Sequence, residues 1–174
     1  MTEGLCVIVG VGEGNGAALA RAFAREGMTI ALLARGTELT SELARELGDA
    51  TAYACDVADP EAIEQTFSAI RNELGNATTL VYNAGSGSRG GVDSISLEAF
   101  ENAWRVNALG ALAASQQVIP AMKAAGRGNI IFVGATASLR GARKLRHLLQ
   151  PRPLSESLRN RWRACSGPWE FTSR

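Results

Sequence analysis

The sequence predicts an α/β fold in which helices cover both faces of a doubly wound parallel sheet. Short apolar runs alternate with segments of helical periodicity from residue 5 to residue 135, and this alternation is typical of βαβ units. The runs are apolar throughout, which indicates strands that are buried on both faces. Because the alternation stops after the fifth run, we expect a sheet that is incomplete at its C-terminal end.

Start and stop signals mark several boundaries of the predicted elements. Asp59 precedes Pro60, a pair typical of an N-cap and the first helical residue. Gly27 and Gly75 follow two helical patterns and are predicted to end them. The predicted strands are residues 5–9, 28–35, 50–57, 78–85 and 128–135. The predicted helices are residues 14–27, 37–47 (capped by Thr37 or Thr40), 59–75 and 96–122 (with a bend expected at Pro120).

Charge divides the chain of 174 residues into two regions. Residues 1–141 hold 10 Lys and Arg against 15 Asp and Glu, a balance of −5, whereas residues 142–174 hold 8 against 2, a balance of +6. We therefore predict a folded domain over residues 1–141 and a basic, irregular tail over residues 142–174. The tail is either an arm that binds nucleic acid or sequence that never evolved as part of this fold.

Nothing in the sequence predicts a membrane or secretory protein. No apolar run reaches the roughly 18 residues of a membrane-spanning helix, and the first ten residues lack the basic region of a signal peptide. Cys6 and Cys55 lie in apolar, strand-like runs and are expected to be reduced core residues. We expect a cytoplasmic protein with no membrane partner and no metal site.

The first predicted strand runs into a glycine-rich loop, GVGEGNG at residues 10–16, which opens the first helix. Side chains in so tight a turn would hold the backbone away from a pyrophosphate, whose charge is favoured at a helix N-terminus. This context, after a strand and before a helix, predicts a nucleotide-binding loop. Its candidate cofactor-binding residues are Gly10, Gly14, Asn15 and Gly16.

The ends of the next three strands supply further candidate cofactor contacts. Arg35 closes the second strand, 19 residues after Gly16, where a dinucleotide fold meets the adenosine ribose. Arginine at this point suits a 2′-phosphate, so NADP is predicted in preference to NAD. Polar or small residues also end the third and fourth strands, although such residues are common turn formers. They are Asp56, Val57, Asn83, Ala84 and Gly85.

In combination these residues resemble the short-chain dehydrogenase/reductase family. The resemblance covers residues 5 to about 141 and includes the G-x-x-x-G-x-G loop, Asp56-Val57, the N-A-G motif at residues 83–85 and Asn107 in V-N-A-L-G. Val9 and Asn15 depart from the family pattern. The resemblance implies a Rossmann-like fold, an NADP cofactor and hydride transfer between the nicotinamide and a small carbonyl or alcohol substrate that the sequence does not identify.

The family's catalytic set is Asn, Ser, Tyr and Lys, and the chain matches only part of it. Asn107 matches the first member. Aligning V-G-A-T-A-S with the family's V-S-S-x-A-G places Ala135 at the serine position, and Thr136 or Ser138 is left as a substitute. We take Asn107 and Ser138 as the candidate catalytic residues.

The family's tyrosine and lysine have no counterpart in the chain. The tyrosine is expected near Leu148, yet the sequence contains only Tyr53 and Tyr82, both in predicted strands, and no Y-x-x-x-K. Loss of a positioned acid or base typically costs on the order of 10²–10⁴-fold in rate. The resemblance therefore predicts a cofactor site with little or no turnover.

A shifted reading frame is our hypothesis for the change after about Gly141. Read from the third base of each codon, residues 158–174 permit a string that resembles the family's next helix and strand, and residues 143–150 permit an active-site-like string from the second base. The two offsets differ, so two small insertions or deletions would be required. The DNA sequence tests the hypothesis, which fails if no single-base changes restore a family-like C-terminus.

Three functions are compatible with these observations. The chain is an NADP-dependent oxidoreductase by descent, a non-catalytic nucleotide- or partner-binding module, or a binder of nucleic acid through its tail, which we favour least. In the family, helices like the one predicted at residues 98–122 pair between subunits. An apolar face of this helix would then form a homo-oligomer interface, unless it packs in the core. That face comprises Trp104, Leu109, Leu112 and Val118.

Overall fold

The computed structural model describes residues 4–87 and 93–134, and its architecture is the predicted α/β fold. Five parallel strands form one sheet in the order β3-β2-β1-β4-β5. The strands are β1 (Leu5–Val9), β2 (Thr29–Ala34), β3 (Ala50–Ala54), β4 (Ala77–Tyr82) and β5 (Asn129–Phe132). The helices are α1 (Asn15–Arg25), α2 (Glu38–Leu47), α3 (Pro60–Glu73), α4 (Leu97–Trp104) and α5 (Gly110–Ala125), with a π-helical turn (Arg105–Leu109) between the last two.

The core lies on both faces of the central strands, as their apolar sequences predict. All five residues of β1 are buried, and Ile8 pairs with Leu32 of β2 on one side and with Val81 of β4 on the other. One cluster, which includes Phe67 of α3, fills one face, and a second cluster under α1 and α2 fills the other. Continuous apolar strands are required because helices cover both faces.

The N-cap predicted for α3 is present. The Asp59 side chain accepts a hydrogen bond from the backbone N–H of Glu61 at 3.0 Å, and Pro60 follows it at the start of the helix. For α2, Thr37 lies at the N-cap position without a side-chain cap bond, and Thr40 instead donates to the Thr37 carbonyl at 3.2 Å.

Replacing Asp59 with alanine is expected to lower the free energy of unfolding by about 1 kcal/mol, because one N–H at the start of α3 loses its acceptor. Chemical denaturation measures the change. Asp59→Asn is the matched control, since its side-chain oxygen still accepts this bond and should retain most of the stability. Equal losses in the two variants would contradict a capping role for Asp59.

The long helix predicted at residues 96–122 is interrupted. The interruption is the π-helical turn at Arg105–Leu109, well before Pro120, which lies inside α5. Trp104, at the end of α4, is 44% exposed, whereas Val118 of α5 is only 2% exposed and packs in the core. Val118 is therefore a core residue, which is the alternative that the sequence analysis gave to an interface at this position.

No helix within residues 4–87 and 93–134 is long and apolar enough to cross a membrane. The predicted tail at residues 142–174, together with residues 135–141, lies outside the described part of the chain.

Candidate functional site

The site predicted from the sequence lies at the carboxyl ends of β1 and β4, where the strand order reverses direction. β1 is flanked by β2 on one side and by β4 on the other, so the connections after β1 and after β4 leave the sheet toward opposite faces. In open parallel sheets the crevice at such a switch point is where ligands bind. The glycine-rich loop follows β1, and the N-A-G motif at residues 83–85 follows β4.

Gly10 and Ala84 hold these two loops in close contact. Gly10 has φ +86°, a left-handed conformation that disfavours side chains, and a Cβ on it would lie 2.4 Å from the backbone nitrogen and Cα of Ala84. Gly10 and Val11 both donate their N–H groups to the Leu33 carbonyl, at 2.9 and 3.0 Å, which ties the start of the loop to β2. Only glycine fits at residue 10, for both reasons.

The turn into α1 leaves a surface on which an anion can be bound. Gly16 is buried, and a Cβ there would lie 2.7 Å from Val11 Cα, so the helix starts directly against the loop. Gly12 and Gly14 are exposed, and a Cβ on either would have no neighbour within 4 Å among the described residues. The N–H groups of Gly14, Asn15 and Gly16 have no acceptor among the described residues. Free N–H groups at a helix N-terminus favour phosphate, so this loop fits the pyrophosphate of a dinucleotide.

Asn83 connects the two loops through its side chain. Its amide Nδ2 donates to the Gly10 carbonyl at 2.7 Å, and its backbone N–H donates to the Val9 carbonyl at 2.8 Å. The amide is thus occupied in shaping the glycine-rich loop. Asn83 was predicted as a cofactor contact, and the structure shows it bonded to the loop that is predicted to hold the cofactor.

Asn107 lies in the π-helical turn and reaches the segment after the N-A-G motif. Its Oδ1 accepts the Ser86 N–H at 2.9 Å, and its Nδ2 donates to the Ser86 carbonyl at 2.6 Å. A Cβ on Gly85 would be 3.7 Å from the same Oδ1. Asn107 therefore binds both backbone groups of Ser86, a residue that the motif search did not identify.

Tyr82 and Gly110 support this arrangement, and the sequence analysis missed both. The Tyr82 hydroxyl donates to the Val106 carbonyl within the π-helical turn. Burial is the main cause that raises the pKa of Tyr82 above its usual value, so the phenol remains a donor. A Cβ on Gly110 would lie 2.5 Å from this hydroxyl and 2.5 Å from the Val57 carbonyl. A glycine inside an apolar helical pattern was the available signal for such a close approach.

The residues predicted near the adenosine lie beyond the ends of β2 and β3. Arg35 follows β2 directly and is exposed, and its guanidinium has no hydrogen-bond or ion-pair partner among residues 4–87 and 93–134. Asp56 is exposed, and its Oδ1 accepts the Ala58 N–H at 2.9 Å. Val57 is buried at 8% exposure. Arg35 is therefore available to an anion, whereas one oxygen of Asp56 is used in a local turn.

The remaining candidates add no chemistry within the described residues. Ser138, predicted as a catalytic residue, lies outside them. Burial raises the pKa of the Cys6 thiol to about 12, so Cys6 stays protonated in the core. Residues 4–87 and 93–134 contain no group of three or more His, Cys, Asp or Glu side chains placed to hold a metal ion.

The sheet order, its switch point and the glycine-rich loop define a Rossmann-like α/β protein. Residues 5–146 match the family model described as short chain dehydrogenase. The chain belongs to the short-chain dehydrogenase/reductase family. The match ends within five residues of Gly141, close to where the sequence analysis placed the end of the resemblance.

Individual relatives agree with this assignment. The chain is 31% identical over 138 residues to the 3-oxoacyl-[acyl-carrier-protein] reductase of Bos taurus, covering 79% of this chain and 58% of the relative. The L-sorbose reductase of Gluconobacter frateurii, solved with NADPH and L-sorbose, has a TM-score of 0.85 at 27% identity, over 93% of this chain and 65% of that one.

A third protein, the alcohol dehydrogenase of Thermococcus sibiricus solved with 5-hydroxy-NADP, has a TM-score of 0.86 at 25% identity, over 93% of this chain and 71% of that one. Coverage is lower for the curated relatives. The chain spans about half of the length of those that it matches, with 58% for the bovine reductase and 53% for the D-threitol dehydrogenase of Mycolicibacterium smegmatis.

Proposed function

We propose that this chain binds NADP(H) as the cofactor-binding part of a short-chain oxidoreductase whose substrate is a small carbonyl or alcohol compound. The observation that carries the proposal is the contact between Gly10 and Ala84 at the switch point, beside the free N–H groups at the start of α1. The complexes of one structural relative with NADPH and of another with 5-hydroxy-NADP support the choice of cofactor. Gly12, Gly14 and Asn15 would hold the pyrophosphate, and Arg35 a 2′-phosphate.

The bound nicotinamide would supply the carbon that accepts or donates hydride. In this chain the contribution of the described residues is to bind and to orient. Asn107 fixes the backbone of Ser86 next to the N-A-G motif. Asn83 fixes the glycine-rich loop through its bond to the Gly10 carbonyl. We propose that turnover by this chain is very low, because its sequence contains no Y-x-x-x-K to protonate or deprotonate a substrate oxygen.

A fluorescence titration of the full chain with NADPH tests the proposal. We expect saturable binding, together with no carbonyl-dependent oxidation of NADPH above the background rate. Absence of saturable binding would overturn the assignment of a cofactor site. Carbonyl-dependent oxidation would leave the cofactor site standing and would overturn the proposal of very low turnover.

Replacing Arg35 with alanine is expected to weaken NADPH binding by about 10-fold or more, because a charge-assisted contact with the 2′-phosphate is lost. Binding of NADH, which lacks this phosphate, should change by less than about twofold. Salt screens the attraction between the exposed Arg35 charge and the more distant parts of the dinucleotide. Arg35→Lys is the control, and it should retain part of the preference as a point charge. Equal weakening of NADPH and NADH binding would contradict this role of Arg35.

The second candidate function is a non-catalytic nucleotide- or partner-binding module, and the missing Y-x-x-x-K favours it. Nucleotide binding alone is common to both functions. The two differ in the oxidation assay, in which only an enzyme consumes NADPH. Binding of nucleic acid through the basic tail is the third function, and salt-sensitive DNA binding that is lost when residues 142–174 are removed would support it.

A further inference from the structure

The edge of the sheet at β5 leaves apolar side chains uncovered on the side of α1. β5 is the last strand in the sheet order, and Val133 continues its pairing by donating its N–H to the Tyr82 carbonyl at 2.9 Å. Ile131 pairs with Val81, which packs in the cluster under α1 and α2, so Ile131 and Val133 share that face of the sheet. Ile131 is 41% exposed and Val133 is 37% exposed. The described part of the chain therefore leaves these two side chains without full cover.

α1 forms the other wall of a groove along this face. Asn15, Ala18 and Leu19 of α1, together with Val133, line a cavity of about 330 Å³. We call these four residues and Ile131 the edge groove. All of them except Asn15 are apolar, and contiguous apolar surface of this kind marks a place where another segment packs. The edge groove therefore fits the apolar side of an incoming segment.

The chain that follows β5 has the apolar spacing of an amphipathic helix. Four apolar residues between residues 139 and 149 recur every three or four positions, which places them on one side of a helix. They are Leu139, Ala142, Leu145 and Leu149, whereas Arg140, Arg143, Lys144 and His147 fall on the opposite side. Arg146 falls at the margin of the apolar side, from which a long side chain can reach water. Pro151 comes next, and a helix does not readily continue through proline.

We propose that residues 139–149 form a helix that packs its apolar side into the edge groove of the same chain. The helix replaces the irregular start that was predicted for the tail, and the part after Pro151 stays irregular. Residues 135–138 connect the strand to the helix, and a connection of this length is common between such elements. So short a connection gives the segment an effective concentration on the order of millimolar at the groove, which favours it over a second copy of the chain.

Charge and composition favour the same occupant. Residues 1–141 have a balance of −5 and attract a tail whose balance is +6. The apolar side of the helix is buried in the groove while its basic side remains in water, which is the pattern that a surface helix requires. Because only the spacing of apolar residues matters here, the packing is compatible with a segment that arose from a shifted reading frame.

Hydrogen exchange of the full chain without NADPH tests this packing independently of the proposed function. We expect slower exchange at residues 139–149 than in an unstructured peptide of the same sequence. Leu145→Gln removes an apolar contact and should raise exchange in this segment by about tenfold or more. His147→Gln is the matched control on the opposite side of the helix, and it should change exchange by less than about twofold. Exchange in β1, which is fully buried, reports whether each variant remains folded.

A substitution in the edge groove tests where the segment packs. Val133→Thr keeps the shape of the side chain but makes it polar, and it should raise exchange at residues 139–149 by about fivefold. Leu97→Gln is the control, because Leu97 is an 87% exposed residue of α4 outside the groove, and exchange should not change. Exchange at the unstructured rate in the unchanged protein, or equal effects of Val133→Thr and Leu97→Gln, would overturn the inference. Protection that grows with protein concentration would overturn it in favour of a second copy of the chain.

Discussion

Replacing Gly10 with alanine is expected to lower the free energy of unfolding by about 3 kcal/mol and to abolish NADPH binding. Part of the loss comes from the left-handed conformation at φ +86°, which costs an L-residue about 1–2 kcal/mol. The rest comes from the new Cβ, which would lie 2.4 Å from the backbone of Ala84. Because both partners are backbone, the loops after β1 and β4 would have to separate. Chemical denaturation and an NADPH titration measure the two effects.

Gly27→Ala separates the two causes. Gly27 also has positive φ, at +78°, but a Cβ there would meet no atom of residues 4–87 and 93–134 within 4 Å. This variant should lose only about 1 kcal/mol and bind NADPH normally, because it carries the conformational cost without the collision. If Gly10→Ala and Gly27→Ala lost the same free energy of unfolding, the close contact between the loops after β1 and β4 would not contribute to stability.

Replacing Gly110 with alanine is expected to destabilise the protein by about 2 kcal/mol, because overpacking forces the neighbouring atoms apart. The sign of this stability change is informative, because replacing glycine with alanine inside a helix ordinarily stabilises the helix by about 1 kcal/mol. Gly110 has helical dihedrals, φ −61° and ψ −40°. A Cβ on it would lie 2.5 Å from both the Tyr82 hydroxyl and the Val57 carbonyl. A stabilised Gly110→Ala variant would contradict this packing.

A double-mutant cycle with Tyr82→Phe tests the contact directly. Tyr82→Phe alone should cost about 1–2 kcal/mol, because the Val106 carbonyl loses its donor. The double variant should be more stable than the sum of the two single changes by about 1 kcal/mol, since one of the two colliding atoms is absent. The NMR shift of the Asn107 side-chain amide should move in both single variants, because the π-helical turn carries Asn107.

Most of the sheet was predictable because its determinants are local. Continuous apolar runs identified all five strands to within three residues at each end, and Asp59 with Pro60 fixed the start of α3. The glycine-rich loop was placed correctly between β1 and α1. The order of the strands, β3-β2-β1-β4-β5, was not predicted, because alternating strands and helices are compatible with more than one order.

The interruption after α4 was not predictable from local sequence. It depends on contacts between residues far apart in the chain, Tyr82 with Val106 and Ser86 with Asn107. Helical periodicity continues across residues 105–109, and Pro120, where a bend was expected, lies inside α5. π-Helical turns often occur at functional sites, and this one positions Asn107 beside the N-A-G segment.

Motif matching found the residues around the crevice but not how they interact. Asn83 was identified as a candidate contact of the cofactor, yet its amide is bonded to Gly10. The contacts that join Asn107 to Ser86 are likewise visible only in three dimensions.

Hydrogen exchange of the full chain with and without NADPH is the most direct test of the claim that the switch point holds the cofactor. We expect slower exchange in the presence of NADPH at residues 12–16, whose backbone would contact the pyrophosphate, and at residues 83–86 across the crevice. Unchanged exchange in both segments at saturating NADPH, or protection confined to other parts of the chain, would contradict the account.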